Sequence, residues 1–244
     1  MSVAMRAMRD QLDDPTLRPV SANTVFCSPV PHGPLEIRVE VLRRGNVASQ
    51  VRAALSSLTL PGPGLEVTAT FARDRDGPDV TDSVMPDVPG PSEAIDLDDD
   101  VAGNPHSIAP FFQNFECKLA FGPAWWVPGW TAGPARYIRW IRYQVPQKDS
   151  RGMLDPIALP PIADTMPPAL IHKLGPDHPR LSAPSLDLTV HFLEDTDSEW
   201  LLVSSYARRA RAGYATADVE IWSESGALIA FGTQTMILRK RRTR

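Results

Sequence analysis

One stretch of the chain occurs twice, about 165 residues apart, and this internal repeat limits the possible folds more than any other feature. Residues 35–58 (LEIRVEVLRRGNVASQVRAALSSL) correspond to residues 199–223 (EWLLVSSYARRARAGYATADVEIWS). Each copy has apolar residues at alternate positions, then a basic turn, then a second alternating segment, as in antiparallel strands with one buried face. The flanking segments correspond as well, Thr24–Cys27 with Thr189–Phe192 and Glu66–Ala72 with Leu228–Gln234. A correspondence over four strands predicts a duplicated domain.

The repeat divides the chain into a first unit at residues 1–75, a linker at residues 76–110 and a second unit at residues 111–244. The linker is rich in Asp, Pro, Gly and Ser and has too little apolar surface to order itself fully. In the second unit, the apolar spacing predicts a helix with Asp164 as its N-cap and Pro167–Pro168 near its first turn. The predicted fold class is α+β, each unit being one long helix with a curled antiparallel sheet of about five strands around it.

The first unit is predicted to lack its opening strands. The repeat aligns the helix of the second unit with the start of the chain, so residues 1–12 are interpreted as the back half of the first unit's helix. The second unit's first strand then has no counterpart. Either the start site is assigned too late or the first unit is shortened. The sheet edge left exposed in this way favours association into a homo-oligomer.

Three motifs of the second unit resemble the double-hotdog acyl-CoA thioesterases, the thioesterase II (TesB-like) group. They are Ile162–Asp164 (IAD), Ser185–Asp187 (SLD) and Gly232–Arg239 (GTQTMILR), and their order and spacing carry the resemblance. The resemblance extends over most of the chain and is stronger at residues 111–239. It implies a double hotdog fold in which an acyl chain lies between the two units. It also implies hydrolysis of acyl-CoA to a free fatty acid and coenzyme A without a metal or cofactor.

The same resemblance implies catalytic roles for Asp164, Ser185 and Gln234, and their chemistry suits the reaction. A carboxylate at a helix N-terminus can take a proton from water, while a hydroxyl and a carboxamide can hold that water or face the oxyanion. Each residue also has a structural interpretation: Asp164 can simply cap a helix, and a serine after a proline is common where a strand begins. Gln234 favours function, because a buried amide costs free energy unless it is paired.

The repeat assigns this site to the second unit alone. It aligns Gln234 with about Ala72, which has no hydrogen-bonding side chain, and Asp164 with no residue at all. One site per chain is therefore expected. Asp187 is expected to face solvent on its strand.

Other polar and aromatic residues have two interpretations each. Arg208, Arg209 and Arg211 lie at a turn where they can bind the phosphates of coenzyme A or simply be solvated. Trp125, Trp126 and Trp130 can line an acyl channel or pack a loop on the sheet. The basic tail Arg239–Arg244 is either a solvated end or a contact for a phosphorylated ligand.

Composition excludes several classes of function. The formal net charge of −4 argues against nucleic acid as a partner. No apolar run is long enough for a membrane helix, the chain start lacks the apolar core of a secretion signal, and two cysteines suit the reducing cytoplasm. Two alternatives to the thioesterase remain. One is a non-catalytic acyl-CoA-binding scaffold protein, and the other is a hotdog enoyl-CoA hydratase, whose Asp–His pair has no match ahead of Asp164.

Overall fold

Eleven strands form one continuous antiparallel sheet in the computed structural model, which describes residues 1–97, 104 and 110–240. Residues 98–103 and 105–109 of the predicted linker and residues 241–244 of the basic tail lie outside the described residues. The sheet order is β2-β3-β4-β1-β9-β12-β11-β10-β7-β6-β5, and β8 and β13 form a separate two-stranded ribbon. The strands are β1 (Arg18–Phe26), β2 (Leu35–Arg44), β3 (Ala48–Ser57), β4 (Leu65–Ala72), β5 (Ile95–Asp96), β6 (Phe115–Phe121), β7 (Arg136–Tyr143), β8 (Leu181–Ser182), β9 (Ser185–Phe192), β10 (Leu201–Arg211), β11 (Tyr214–Ser223), β12 (Leu228–Ile237) and β13 (Arg239–Lys240).

The two units meet where β1 pairs with β9. Asn23 lies opposite Thr189, and its Nδ2 donates to Thr189 Oγ1 at 2.8 Å. The buried positions Ala22 and Thr24 of β1 match Leu188 and Val190 of β9, so Asn23 is equivalent to Thr189, one residue away from the alignment read from the sequence. The antiparallel pairing therefore relates β1–β4 to β9–β12 by a local two-fold axis. The repeat read from the sequence therefore describes two units joined edge to edge.

The strand registers correct a second alignment within the repeat. Gln234 lies opposite Leu188 and Ala217, whereas Ala69 lies opposite the equivalent residues of the first unit. Gln234 is therefore equivalent to Ala69, and the alignment with Ala72 is wrong. The connection between β3 and β4, residues 58–64, is also longer than the one between β11 and β12.

The helices of the two units differ. Helix α1 (Ser2–Leu12) packs Ala4, Met5, Met8 and Leu12 into the core. In the second unit a 3₁₀ turn (Pro156–Ala158) leads into two short helices, α2 (Leu159–Ala163) and α3 (Pro167–Leu174).

The predicted N-cap at Asp164 is wrong, because Met166 occupies that position and Asp164 ends α2. Pro167–Pro168 lack the N–H groups that would continue α2 into α3, so the helix stops and begins again with both prolines in its first turn. A single long helix is therefore absent from this part of the described chain, and Asp164 lies in the break.

Part of the predicted linker packs on the second unit. Ile138, Trp140, Leu202 and Trp222 form a small cluster, and Met85, Val88 and Ala94 pack against it. Trp140 Nε1 donates to the carbonyl oxygen of Pro89 at 2.9 Å, and β5 adds to the sheet beside β6. The division of the chain at residues 75 and 110 stays a prediction. Much of residues 85–97, however, packs on the second unit instead of forming an extended linker.

The outer strand of the first unit is β2, which among the described residues pairs only with β3. The equivalent edge of its counterpart β10 is paired with β7. The second unit's opening strand, predicted at Phe111–Phe121, begins four residues later because Phe112–Asn114 form a 3₁₀ turn. None of the described helices has the length and apolar character needed to cross a bilayer.

Candidate active site

Three polar side chains that are distant in sequence meet at one end of the sheet. Asp164 lies in the break between α2 and α3, Ser185 is the first residue of β9, and Gln234 lies near the end of β12. Strands β9 and β12 are neighbours, with Met236 opposite Ser185 and Gln234 opposite Leu188. The structure therefore brings together all three residues predicted to be catalytic.

The break that holds Asp164 is fixed by hydrogen bonds. Thr165 Oγ1 donates to the carbonyl oxygen of Ile162 at 2.6 Å, and Arg139 Nη2 donates to the carbonyl oxygen of Thr165 at 3.0 Å. Arg139 is 2% exposed and its guanidinium lies over the ring of Tyr137. Residues 137–141 of β7 are all buried, on both faces of the strand, and an arginine within this largely apolar run is a signal that the sequence interpretation did not use.

Asp164 receives two hydrogen bonds on the same oxygen. Ser185 Oγ donates to Asp164 Oδ1 at 2.7 Å, and Gln234 Nε2 donates to the same Oδ1. Gln234 Nε2 also donates to Ser185 Oγ, at 2.6 Å. Both donors use Oδ1, and Oδ2 accepts no hydrogen bond from the described residues, so it can accept a proton from water.

Gln234 is 1% exposed, and its Oε1 has no partner within the described part of the chain. An unpaired buried acceptor is costly in free energy and rare in native proteins. An unpaired Gln234 Oε1 beside the Asp164 carboxylate is typical of a functional site, because a purely structural amide would have both of its polar atoms paired.

Burial raises the pKa of Asp164 above its ordinary value. The hydrogen bonds from Ser185 and Gln234 and the positive charge of the Met1 amino group lower it, but they do not cancel the effect of burial. A raised pKa makes this carboxylate a stronger base than an exposed aspartate. Met1, the N-cap of α1, therefore lies close enough to Asp164 for the two charges to interact.

Asp187 has a partner that its sequence interpretation missed. Its Oδ1 accepts a hydrogen bond from the backbone N–H of Thr235 at 2.9 Å, where the register of β9 and β12 shifts. Thr235 directly follows Gln234, so Asp187 fixes the strand beside the site. The SLD motif therefore contributes a contact to the site through Ser185 and a backbone support through Asp187.

Arg208 lies away from the three residues. Its guanidinium pairs with Asp218, which is 8% exposed, and stacks over the ring of Tyr206. Asp218 follows Ala217, the residue opposite Gln234, so alternation directs Asp218 and Arg208 to the other face of the sheet. The structure does not bring Arg208 to Asp164. Arg209 is exposed.

Trp125 and Trp126 make an edge-to-face contact with ring centroids 5.2 Å apart, and both are half-buried against the main core. This packing agrees with the loop interpretation, and a role in an acyl channel stays a prediction. A cavity of about 240 Å³ beside Tyr143 and Leu201 lies at the opposite end of β10 from Arg211, and none of the three site residues lines it. Within the described residues, no cluster of His, Cys, Asp and Glu could hold a metal ion.

Comparisons with known proteins agree with this fold. The family model for the acyl-CoA thioesterase N-terminal domain matches residues 1–72, and the model for the C-terminal domain matches residues 85–238. No curated protein sequence matches the chain.

Several solved structures share the fold at low identity. A conserved protein of unknown function with a hotdog fold from Alicyclobacillus acidocaldarius is 23% identical, with a TM-score of 0.79 over 99% of this chain and 86% of its own. The acyl-CoA thioesterase II TesB2 from Mycobacterium marinum is 21% identical, with a TM-score of 0.69 over 93% and 83%. A tesB protein from Mycobacterium avium subs paratuberculosis is 19% identical, with a TM-score of 0.72 over 98% and 84%.

These likenesses confirm the double hotdog fold that the sequence predicted. They also confirm the resemblance to the TesB-like group. The two family models together match nearly the whole chain, the C-terminal one alone more than half of it. The chain therefore belongs to the acyl-CoA thioesterase family.

Proposed function

We propose that the protein hydrolyses acyl-CoA thioesters to a free fatty acid and coenzyme A, with Asp164 as the base. One observation carries this proposal. A half-buried carboxylate has one oxygen fixed by two donors from Ser185 and Gln234, while its other oxygen accepts no hydrogen bond from the described residues and can accept a proton from water. The composition favours the cytoplasm as the site of action.

The reaction needs few groups. Asp164 Oδ2 accepts a proton from water, and the water oxygen attacks the thioester carbonyl carbon. The carbonyl π electrons move to oxygen, which becomes an oxyanion in a tetrahedral intermediate. When the carbonyl forms again, the C–S bond breaks and the thiolate of coenzyme A leaves, taking the proton from Asp164. Ser185 and Gln234 hold the base in place, and the unpaired Oε1 of Gln234 can accept the second hydrogen of the attacking water.

Thiol release tests this proposal. Purified protein is mixed with acyl-CoAs of increasing chain length, and free thiol and free acid are measured together. Equal amounts of both support hydrolysis. Saturable binding of acyl-CoA without release of either product supports the non-catalytic scaffold instead, and loss of an enoyl-CoA double bond without thiol release supports the hydratase.

Replacing Ser185 with Ala is expected to lower kcat about ten- to hundredfold, the effect of losing one hydrogen bond to a charged group. KM should change little, because the hydroxyl contacts Asp164. Ser185→Thr keeps the hydroxyl and should retain most of the activity. Steady-state kinetics on one acyl-CoA compares the variants. Equal kcat values for Ser185→Ala and the native protein would exclude Ser185 from the mechanism.

We also propose self-association along the outer edge of β2, whose counterpart in the second unit is covered by β7. Unpaired edge strands readily add another strand. Light scattering should give a mass at least twice that of the chain. Replacing Val39 at the centre of β2 with Pro removes a backbone donor and should lower that mass. A native protein that is monomeric at micromolar concentration contradicts this proposal.

A further inference from the structure

The three residues of the site have no hydrogen left to donate to an oxyanion. The single hydroxyl hydrogen of Ser185 is donated to Asp164 Oδ1, and the two amide hydrogens of Gln234 are donated to Asp164 Oδ1 and Ser185 Oγ. Helix α3, which follows Asp164, begins with Pro167 and Pro168, and prolines lack the backbone N–H groups that face an oxyanion at many helix N-termini. The charge that develops on the thioester oxygen therefore needs a donor from another element.

Thr24 carries a buried hydroxyl that has no partner. It lies on β1 of the first unit and is completely buried. Its Oγ1 forms no hydrogen bond within the described part of the chain. A hydroxyl has one hydrogen to donate, and burying that group without a partner costs free energy. The side chain of Thr24 therefore offers a free donor at the expense of stability.

The strand registers place Thr24 in the same row of side chains as Gln234. Leu188 of β9 lies opposite Thr24 on one side and opposite Gln234 on the other. Residues directly opposite each other in a sheet point to the same face, and all three are buried. Two strand spacings, roughly 10 Å, separate the Cα atoms of Thr24 and Gln234. Thr24 therefore borders the site from the first unit.

The width of this gap suits the reaction. A base, a water, a carbonyl group and an oxyanion donor that lie in series extend over roughly 8–10 Å. Asp164 is held against Gln234 at one side of the gap, and Thr24 lies at the other side. A thioester carbonyl over Leu188 would therefore lie between the base and the free hydroxyl.

A substrate can reach Thr24 only if neighbouring side chains move, because Thr24 is completely buried. Two methionines beside the site are also completely buried. Met166 lies two residues after Asp164, and Met236 lies opposite Ser185. Methionine is unbranched and changes rotamer readily to fit its neighbours. An acyl chain can therefore enter by displacing side chains and not the backbone.

We propose that Thr24 Oγ1 donates a hydrogen bond to the thioester carbonyl oxygen and stabilises the oxyanion that forms there. This role rests on the proposed function, and it adds a catalytic residue from the first unit. As water attacks, the carbonyl π electrons move to the oxygen, and the hydrogen bond from Thr24 strengthens with the charge. Thr24 keeps its proton throughout, and no covalent bond to it forms or breaks.

The test compares the loss of two unpaired buried hydroxyls. Thr24→Val removes the donor and keeps the shape of the side chain, whereas Thr24→Ser keeps the donor. The control, Ser49→Ala, removes a hydroxyl that is also completely buried and unpaired. Ser49 lies roughly 13 Å along β3 from Ala53, the residue of β3 in the row of Thr24. Thiol release from an acyl-CoA, the pH–rate profile and thermal unfolding are measured for each variant.

We expect Thr24→Val to lower kcat about a hundredfold, the usual effect of losing one oxyanion donor, with KM almost unchanged. Thr24→Ser should retain most of the activity, and Ser49→Ala should have the native kcat. The acidic limb of the pH–rate profile should not move in Thr24→Val, because Thr24 donates no hydrogen bond to Asp164. Thr24→Val and Ser49→Ala should each be at least as stable as the native protein, since each removes an unpaired hydroxyl.

Two results overturn the role of Thr24 and leave the proposed function intact. One is a native kcat in Thr24→Val. The other is a loss of kcat that comes with a loss of thermal stability or a displaced acidic limb, because such a variant has disturbed the fold or the base. A native protein that releases no thiol contradicts the proposed function, and the role of Thr24 with it.

Discussion

Replacing Asp164 with Asn is expected to lower kcat for acyl-CoA hydrolysis about a thousandfold, while KM changes little. General-base catalysis by a positioned side chain contributes about 10²- to 10⁴-fold, and asparagine cannot accept the proton from water. The amide oxygen of Asn can still accept from Ser185 Oγ and Gln234 Nε2, so the surrounding hydrogen bonds persist. Steady-state kinetics with an acyl-CoA that the native protein turns over measures the loss.

The thermal stability of Asp164→Asn distinguishes loss of the catalytic base from unfolding of the protein. Because burial raises the pKa of Asp164, the folded state holds its proton more tightly than the unfolded state does. The ionised carboxylate therefore destabilises the fold at neutral pH, and this cost disappears as the pH falls below the ordinary aspartate pKa. Asp164→Asn should be at least as stable as the native protein at pH 7 by thermal unfolding. The exposed Asp79→Asn serves as the control for both measurements. Full activity in Asp164→Asn contradicts the mechanism.

Alternation and the repeat were sufficient to predict the architecture, because each strand carries its buried face in its own sequence. The same pattern could not predict the helix break at Asp164, which depends on two prolines acting together with the Arg139–Thr165 contact. It also could not give the register of β12, because strand pairing, which aligns Gln234 with Ala69 instead of Ala72, is set by neighbouring strands. Local patterns predict elements, whereas connection lengths and distant contacts determine how the elements align.

The site residues were predictable for a different reason. Asp164, Ser185 and Gln234 stood out through a family resemblance, and Asp164 and Gln234 also through the lack of polar counterparts in the first unit. The corrected register keeps that contrast, because Ala69 has no more hydrogen-bonding capacity than Ala72. Asp187 and Arg139 were missed because each acts on a backbone group, Thr235 N–H and Thr165 C=O, which sequence does not show. Contacts between a side chain and a distant backbone group can be recognised only in a three-dimensional structure.

Replacing Gln234 with Glu is expected to lower activity at pH 7 about a hundredfold and to move the acidic limb of the pH–rate profile to higher pH. In the native protein the rate should rise as Asp164 loses its proton, at a pH above the ordinary aspartate pKa because that pKa is raised. A second carboxylate would lie within hydrogen-bond distance of the first, and two adjacent buried carboxylates cannot both ionise easily. The pair then retains a proton near neutral pH, and the base is lost.

Gln234→Leu is the matched control, because it removes the same donor without adding a charge. Loss of that donor also raises the pKa of Asp164, since the hydrogen bond from Gln234 lowers it in the native protein. The shift of the acidic limb should nevertheless be smaller than in the Glu variant. At alkaline pH both variants have an ionised Asp164 and lack the amide donor, so their kcat values should converge. A Glu variant whose acidic limb coincides with that of the native protein would show that Asp164 is not the group whose ionisation controls the rate.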